Sequence, residues 1–588
     1  MKIRLRTLTP VHIGTGEELA PLDYVALASR NRFYRVTQEQ MLRFVTENIG
    51  KKEGPIAFAR WISDQYRGMR EIRDNRALSA MADGINPYAF CEDAEVKKER
   101  AFEQYLNTPE NGIFSAPVTI DEFTRRRHSG ARAVPLGRVR EAIKNGSGRP
   151  LLPGSSIKGA IRTAVFYHYL TQHAQSAKVE RIVQSQLQDS RPKKERFALP
   201  LIHEAFYCAT QDLHSGKVKA DDEKMDLFKL VRCTDGHTLG EEQALSLAKI
   251  NIYLVEKKQS RDRSKSYFEA TQQRQTSYAE IISPGTVIQA EIDFDIDFLV
   301  QLKPLLKNGA VESNGQLHWI NIEEKVRQLF GIQLSELSPA NKEQQKAKVI
   351  AHLYHCLKTL NQAQLQAHRQ WLEHFEKNDN RDQYTSRIRA GFGPVFSRDD
   401  HKLMHLGYAT GFDGMTGLFY FLADEKRKAL FKQVMAKFDL GNKPGNKSKY
   451  VPNPDRFPKS KRLVELAEVI QPMGWVELFE EGEKMSALET ATLSDAGLIG
   501  QQEEEPSTPV EPEYYDKPIN YKKPPELDAV VTRAGRPNRV KVYVTPGYSP
   551  EMELMGYSNP MEEGKIIRVQ TTFNKKKKLV QVAFRSFK

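Results

Sequence analysis

No stretch of this 588-residue chain approaches the roughly 18 consecutive apolar residues that cross a bilayer. The opening Met1-Lys2-Ile3-Arg4-Leu5-Arg6 lacks the apolar region of a secretion signal, so nothing directs export. Cysteine is scarce: Cys91, Cys208, Cys233 and Cys356 are scattered without metal-ligand spacing, which fits a reducing cytoplasm. No nucleophile elbow, paired-acid motif or zinc pattern is present, and no cofactor or metal is expected. What the chain does have is positive charge. The net charge is +13, at 39% apolar content and a mean hydropathy of −0.57. Such a balance favours a polyanionic partner without identifying one.

The length suggests about three or four domains. Lys2 to Leu8 alternate polar with apolar, the period of a half-buried strand. A helix is expected from Thr37 to about Asn48, burying Met41, Leu42 and Val45, and residues 54–108 look helical. A strand follows the Ser283-Pro284-Gly285 turn at Val287–Phe294. Lys342 to Lys377 contains no Gly or Pro and sets Val349, Leu353, Cys356, Leu357 and Leu360 at helical spacing. Leu418–Ala423 reads as a buried strand or helix, and Arg389–Phe396 as a turn, because Pro394 spoils a central strand. The Pro- and Glu-rich stretch 496–525 reads as a disordered linker. Beyond it, 526–588 reads as a small all-β, OB-like module with twelve Lys/Arg against six Asp/Glu. Such barrels bind single strands, and a docking module fits equally.

The most informative segment is Arg149-Pro150-Leu151-Leu152-Pro153-Gly154-Ser155-Ser156-Ile157-Lys158-Gly159-Ala160-Ile161-Arg162-Thr163. It reads as a short strand, a Pro-Gly break, serines able to cap, and a helix from about Ile157. Unpaired N–H groups at such a start attract anions. Lys158 and Arg162 are four apart and share a face, while Gly159 lets a ligand come close. Gly154 and Gly159 have the spacing of a nucleotide-triphosphate loop, but Ala160-Ile161 stand where Lys and a hydroxyl residue belong. An ordinary turn with two solvated cations is the simpler alternative.

The segment resembles the glycine-rich loop of the CRISPR-associated RAMP superfamily, and Leu8-Thr9-Pro10-Val11-His12-Ile13-Gly14-Thr15-Gly16-Glu17 resembles that family's first strand and turn. Leu22-Asp23-Tyr24, Phe457-Pro458-Lys459-Ser460-Lys461-Arg462-Leu463-Val464 and Pro472-Met473-Gly474-Trp475-Val476 look most like the fifth-subunit family of the type III-A Csm effector complex. Leu406-Gly407-Tyr408-Ala409-Thr410-Gly411-Phe412 resembles the glycine-rich loop of the second half, and the likeness covers roughly residues 1–480. The resemblance implies an α+β chain with two ferredoxin-like (RRM-like) modules and helical insertions. The first module takes 1–295 with an insertion at about 54–108, a helical region 296–380, and the second module 381–495. It further implies a non-catalytic subunit that caps the Csm backbone and binds the 3′ part of crRNA. Its partners would be the repeated backbone RAMP subunit and other Csm subunits, with host trimming nucleases recruited for crRNA maturation.

Over 121–173 there are ten Lys/Arg against three Asp/Glu, among them Arg125, Arg126, Arg127, Arg132, Arg138 and Arg140. Guanidinium groups bind phosphates bidentately and stack on bases, so arginine suits RNA. Candidate RNA-binding residues are therefore these arginines, Gly154, Ser155, Ser156, Lys158, Gly159 and Arg162, with Gly411, Lys459, Lys461 and Arg462 from the second half. The Lys575–Lys578 run reads as a solvated turn. RNA cleavage would need a general base, and His12, His128 and Asp23 are the candidates for that alternative. His352 and His355 share a helix face with no acidic third ligand, and Asp399-Asp400-His401 has the wrong order for an HD nuclease.

Overall fold

The alternating Lys2–Thr7 segment is a strand that buries Ile3 and Leu5, and it lies between strands from the middle of the chain and from the last part of the larger unit. It pairs antiparallel with Val287–Phe294, Ile3 opposite Ala290, and with Trp475–Glu480, Ile3 opposite Glu480. The computed structural model describes residues 1–118, 132–189, 196–212, 214–239, 244–259, 266–307, 310–313, 317–373, 384–415, 417–441, 451–466, 469–485, 526–533, 538–544, 547–548, 551–555, 566–573 and 579–587. The architecture is α+β. One sheet runs in the order Leu403–His405, Trp475–Glu480, Lys2–Thr7, Val287–Phe294, Gly236–Thr238, Leu151–Leu152. Against it pack the helices Gly154–Gln172 and Lys342–Glu373, so that Ile157, Ile161, Val165, Val349, Leu353 and Leu357 share a core with Ile3, Leu5 and Ile288.

A second sheet has the order Gly14–Leu19, Val139–Ala142, Ser266–Ile282, Leu245–Gln259, Ser460–Leu466, Val469–Gln471. It too joins distant parts of the chain, with Ile250 opposite Val464. The helices within 54–108 close over a three-stranded sheet (Tyr24–Leu27, Arg32–Arg35, Ser115–Pro117) and form a separate aromatic core around Tyr34, Phe44, Tyr88, Phe90 and Phe102. Among the described residues no helix is long and apolar enough to cross a membrane.

Several local expectations are corrected. Helix Gln38–Asn48 buries Met41, Phe44 and Val45, while Leu42 is 45% exposed, because the apolar stripe runs through Phe44. The supposed turn at Arg389–Phe396 belongs to a helix, Thr385–Phe396, with Pro394 inside it. Gly391 lets that helix lie on a strand: a methyl group there would sit 2.0 Å from the Ile470 carbonyl oxygen. Leu418–Leu422 is a short helix. The helix expected from Ile157 begins at Gly154, and Pro153, not a serine side chain, stands at its N-cap.

Residues Gly500–Lys588 form a second unit. The linker expected at 496–525 and the Lys575–Lys578 run lie outside the described residues. Glu526–Arg533 pairs with Ile566–Phe573, which pairs with Leu579–Phe587, then Met552–Met555, then Arg539–Val544, which returns to Glu526–Arg533. The circuit is closed, and its one parallel pairing among these five joins Met552–Met555 to Leu579–Phe587. Leu527, Ala529, Val531, Val540, Val542, Ile567, Val569 and Val582 make its core.

Arg6 stands directly opposite Glu477 in the ladder, and their side chains form an ion pair at 5% and 6% residue exposure. The Arg6 guanidinium also lies 5.2 Å from the centre of the Phe479 ring, and Arg398 Nε approaches the same carboxylate at 3.9 Å. Removing one partner of such a pair leaves a buried charge and costs about 3–5 kcal/mol, whereas replacing both by apolar groups is often neutral. Arg6→Ala is therefore expected to cost the larger unit about 3 kcal/mol of stability, read as a lowered urea midpoint, with Arg398 limiting the loss. Arg6→Met combined with Glu477→Leu should recover most of it. A single substitution without effect would show that the pair does not hold these two strands together.

Candidate nucleic-acid interface

Three loops far apart in sequence are clipped together where the two sheets approach each other. The Tyr408 N–H donates to the His12 carbonyl at 2.8 Å, Leu406 N–H to the Gly474 carbonyl at 2.9 Å, and Gly474 N–H to the Pro10 carbonyl at 2.8 Å. Close approach excludes side chains: a Cβ on Gly407 would lie 2.8 Å from the His12 oxygen, and one on Gly474 2.3 Å from the Leu406 oxygen. Gly407, Ala409 and Gly411 have φ of 88°, 68° and 64°. For Ala409 that left-handed backbone costs about 1–2 kcal/mol, held by the clips on either side.

This bent loop presents Tyr408 between two arginines from different parts of the chain. Arg140 lies 4.9 Å from the ring centre and Arg462 5.6 Å from it. Tyr408 is only half buried. Beside it lies a cleft of about 680 Å³ whose lining includes Gly411, Lys459, Lys461, Arg462, Phe412 and Phe457. The expected residues of the second half are thus brought together. Lys461 Nζ lies 5.5 Å from the centre of the Trp371 ring, and Phe412 meets Phe457 edge-on at 4.9 Å. Cations set on aromatic faces, next to a half-exposed ring, suit phosphates and stacked bases.

The Gly154–Gln172 helix is more engaged internally than its motif suggests. Gly154 N–H donates to Asp235 Oδ1 at 2.7 Å, and Ser156 and Ile157 N–H groups donate to the Pro153 carbonyl. Gly154 itself is there for packing, since a Cβ would fall 2.2 Å from the Cys233 carbonyl oxygen. Arg162 pairs with Asp226 at 2.8 Å and lies 4.0 Å from the centre of the Phe206 ring. Lys158 sits 5.8 Å from the centre of the Phe228 ring, and burial holds its ammonium below the usual lysine range. Ser155 and Gly159 are exposed four residues apart, on one face. A Cβ at Gly159 would meet nothing within 4 Å. Packing therefore does not require this glycine inside a helix.

The family model of the RAMP superfamily matches residues 4–393. This chain belongs to the RAMP superfamily. Similar curated proteins are the "CRISPR system Cms protein Csm5" of Mycobacterium tuberculosis (strain CDC 1551 / Oshkosh), 24% identical over 260 residues, and that of Streptococcus thermophilus, 29% identical over 162. Those alignments take in 43% and 28% of this chain, and span 58% and 36% of the relatives. Among solved structures, a chain of a Csm–crRNA–target RNA ternary complex from a type III-A CRISPR-Cas system is 20% identical. The alignment covers 82% of this chain and 100% of that one, with a TM-score of 0.47. The crystal structure of T. onnurineus Csm5 is 18% identical, covering 81% and 99%, with a TM-score of 0.41.

The remaining candidates of this RAMP chain are spread out. Arg138 and Arg140 share Glu18, at 3.8 and 3.4 Å. Arg132 lies apart with the helical insertion, 3.9 Å from Glu99. Arg125, Arg126, Arg127 and His128 lie outside the described residues. His12 is 3% exposed, with Nδ1 2.6 Å from the Glu280 carbonyl oxygen. Burial lowers its pKa from 6.5, the Glu280 carbonyl opposes the shift, and Arg140 and Lys144 reinforce it. Asp23 closes a short turn by accepting from Ala20 N–H at 2.8 Å. Tyr408 was not among the residues expected from the sequence, although it lies within the Leu406–Phe412 motif, where an aromatic residue between glycines is the signal that marks it.

Gly159→Ala separates fold from ligand. Replacing an interior helical glycine by alanine stabilises by up to about 1 kcal/mol where the space is free. The expected outcome is a raised urea midpoint together with weaker RNA binding. A variant that is more stable and binds unchanged would remove Gly159 from the interface.

Proposed function

We propose that this protein is a non-catalytic, RNA-binding scaffold subunit of a type III-A Csm effector complex, capping the backbone and holding the 3′ part of crRNA. The observation that carries the reading is Tyr408, half exposed between Arg140 and Arg462, where Arg462 also lines a cleft with Lys459, Lys461 and aromatic rings. One module of the chain supplies Arg140 and the other supplies Tyr408 and Arg462. The two guanidinium groups held on the ring offer their planes to a base and their donors to its phosphates, so recognition follows backbone shape rather than sequence. The Ser155–Gly159 face of the first glycine-rich helix serves as a second contact along the strand, with Lys158 beside it.

Membership of the RAMP superfamily and the names of the curated relatives support a place beside other Csm subunits, the repeated backbone subunit above all. Support for crRNA maturation then comes from holding the guide while trimming nucleases act on its end. The two halves are read as ferredoxin-like modules whose sheets have exchanged strands, and the C-terminal unit as an OB-like barrel. Its closed five-strand circuit, with a parallel pairing between the third and fifth long strands, favours that assignment. The enclosure of His12 against the Glu280 carbonyl argues for a structural role over a general base.

The test is binding of end-labelled single-stranded RNA by the full chain over a range of salt, with magnesium or EDTA, resolved on native and denaturing gels. Tyr408→Ala is expected to weaken binding about tenfold, a stacking loss of about 1–3 kcal/mol, and to leave the salt slope unchanged. Arg462→Ala should reduce that slope by about one contact. Unchanged affinity in both variants would overturn the interface, and a discrete cut in the RNA would overturn the non-catalytic assignment.

A further inference from the structure

Four imidazoles and a thiol converge between two helices, in a place that the RNA interface does not use. His168 comes from the Gly154–Gln172 helix and His173 from the residue that ends it. His352, His355 and Cys356 come from the Lys342–Glu373 helix, and the four-residue step sets His352 and Cys356 on one face. Cys356 Sγ lies 3.5 Å from His352 Nε2. One ligand atom each from His168, His352 and Cys356 falls within 4.8 Å of the other two. The His168 ring is 5.2 Å from His352, 5.5 Å from His355 and 5.5 Å from His173.

A histidine-rich core would be the simpler explanation if its nitrogens were satisfied. His168 is 7% exposed, and its Nδ1 has no hydrogen-bond partner. A bare buried nitrogen costs about 1–3 kcal/mol, and here it shares its surroundings with a thiol and three further imidazoles. Ligand atoms around a tetrahedral zinc ion stand about 3.4–3.8 Å apart, given bond lengths near 2.0–2.3 Å. The Cys356–His352 separation already matches, and the third ligand atom needs to close by about 1 Å, within side-chain motion.

We propose that His168, His352 and Cys356 bind a zinc ion, with His173, His355 or a water completing the tetrahedron. A mixed imidazole and thiolate set suits zinc among the common divalent metals. On binding, the Cys356 thiol releases its proton to solvent and the sulfur lone pair forms the bond to the metal. The sequence hid the site because its third ligand comes from a separate helix rather than from an acidic residue nearby. The ion would pin the helix that carries Lys158 and Gly159 to the longest helix of the fold.

The test uses the full chain, freed of metal by a chelator and loaded with zinc or cobalt(II), with excess removed. About one zinc per chain is expected, together with a raised melting temperature and, for cobalt, visible tetrahedral absorption with a near-ultraviolet thiolate-to-cobalt band. Cys356→Ser should lose that thiolate band, and His168→Asn should lose the bound metal. The exposed Asp399-Asp400-His401 cluster is the competing site, so the proposal expects His401→Ala to leave the stoichiometry unchanged. A wild-type chain that retains no metal, or shows cobalt absorption without a thiolate band, overturns the proposal even where the variants fail to fold. Metal lost on His401→Ala but kept on Cys356→Ser overturns it equally.

Discussion

The insertion of the first strand between two distant ones is the constraint on which the rest depends. Lys2–Thr7 separates Val287–Phe294 from Trp475–Glu480, and the buried Arg6–Glu477 pair fixes its register against a strand 471 residues further on. A one-residue slip would turn Ile3 and Leu5 out of the core and leave a guanidinium and a carboxylate buried without each other. Once that register holds, the Pro10–His12 turn, the Leu406–Gly411 loop and Gly474 are within hydrogen-bonding reach. The candidate RNA contact is a consequence of this topology.

The basic character of the chain divides into two kinds of cation. Arg6, Arg162 and Lys144 are committed to internal carboxylates: Glu477, Asp226 and Glu280 respectively. Arg140 and Arg462 lie over a half-exposed tyrosine, Arg140 also reaching the surface carboxylate of Glu18 at 3.4 Å, and Lys459 lines the adjoining cleft. Net charge alone does not separate these groups. Their neighbours do, and the platform around Tyr408 follows from that separation.

Local periodicity made the Lys2–Leu8 and Val287–Phe294 strands and the long Lys342 helix legible in the sequence, because each is set by contacts its own residues predict. The Thr385–Phe396 helix was hidden because Pro394 spoiled a central strand, which left a turn as the expectation. Tertiary packing overrides that preference, since Gly391 fits against the Ile470 backbone. The glycine-rich segment at 149–163 was legible as a strand, break and helix, but not in its hydrogen bonding. Asp235, far along the chain, takes the Gly154 N–H that the motif offered to an anion. The grouping of Gly411 with Lys459, Lys461 and Arg462 was expected only through family resemblance. Arg140 and Arg462 meet over Tyr408 through pairings that no local pattern encodes.

The central claim is that pairing of the first strand with Trp475–Glu480 builds an RNA contact at Tyr408. Ultraviolet crosslinking of single-stranded RNA to the full chain, with the adducts mapped by mass spectrometry, tests it most directly. The account predicts adducts on Tyr408 and on the rings beside the cleft, Phe412 and Phe457. Adducts confined to residues 526–588, or absent from the 406–412 and 457–462 segments, would contradict it.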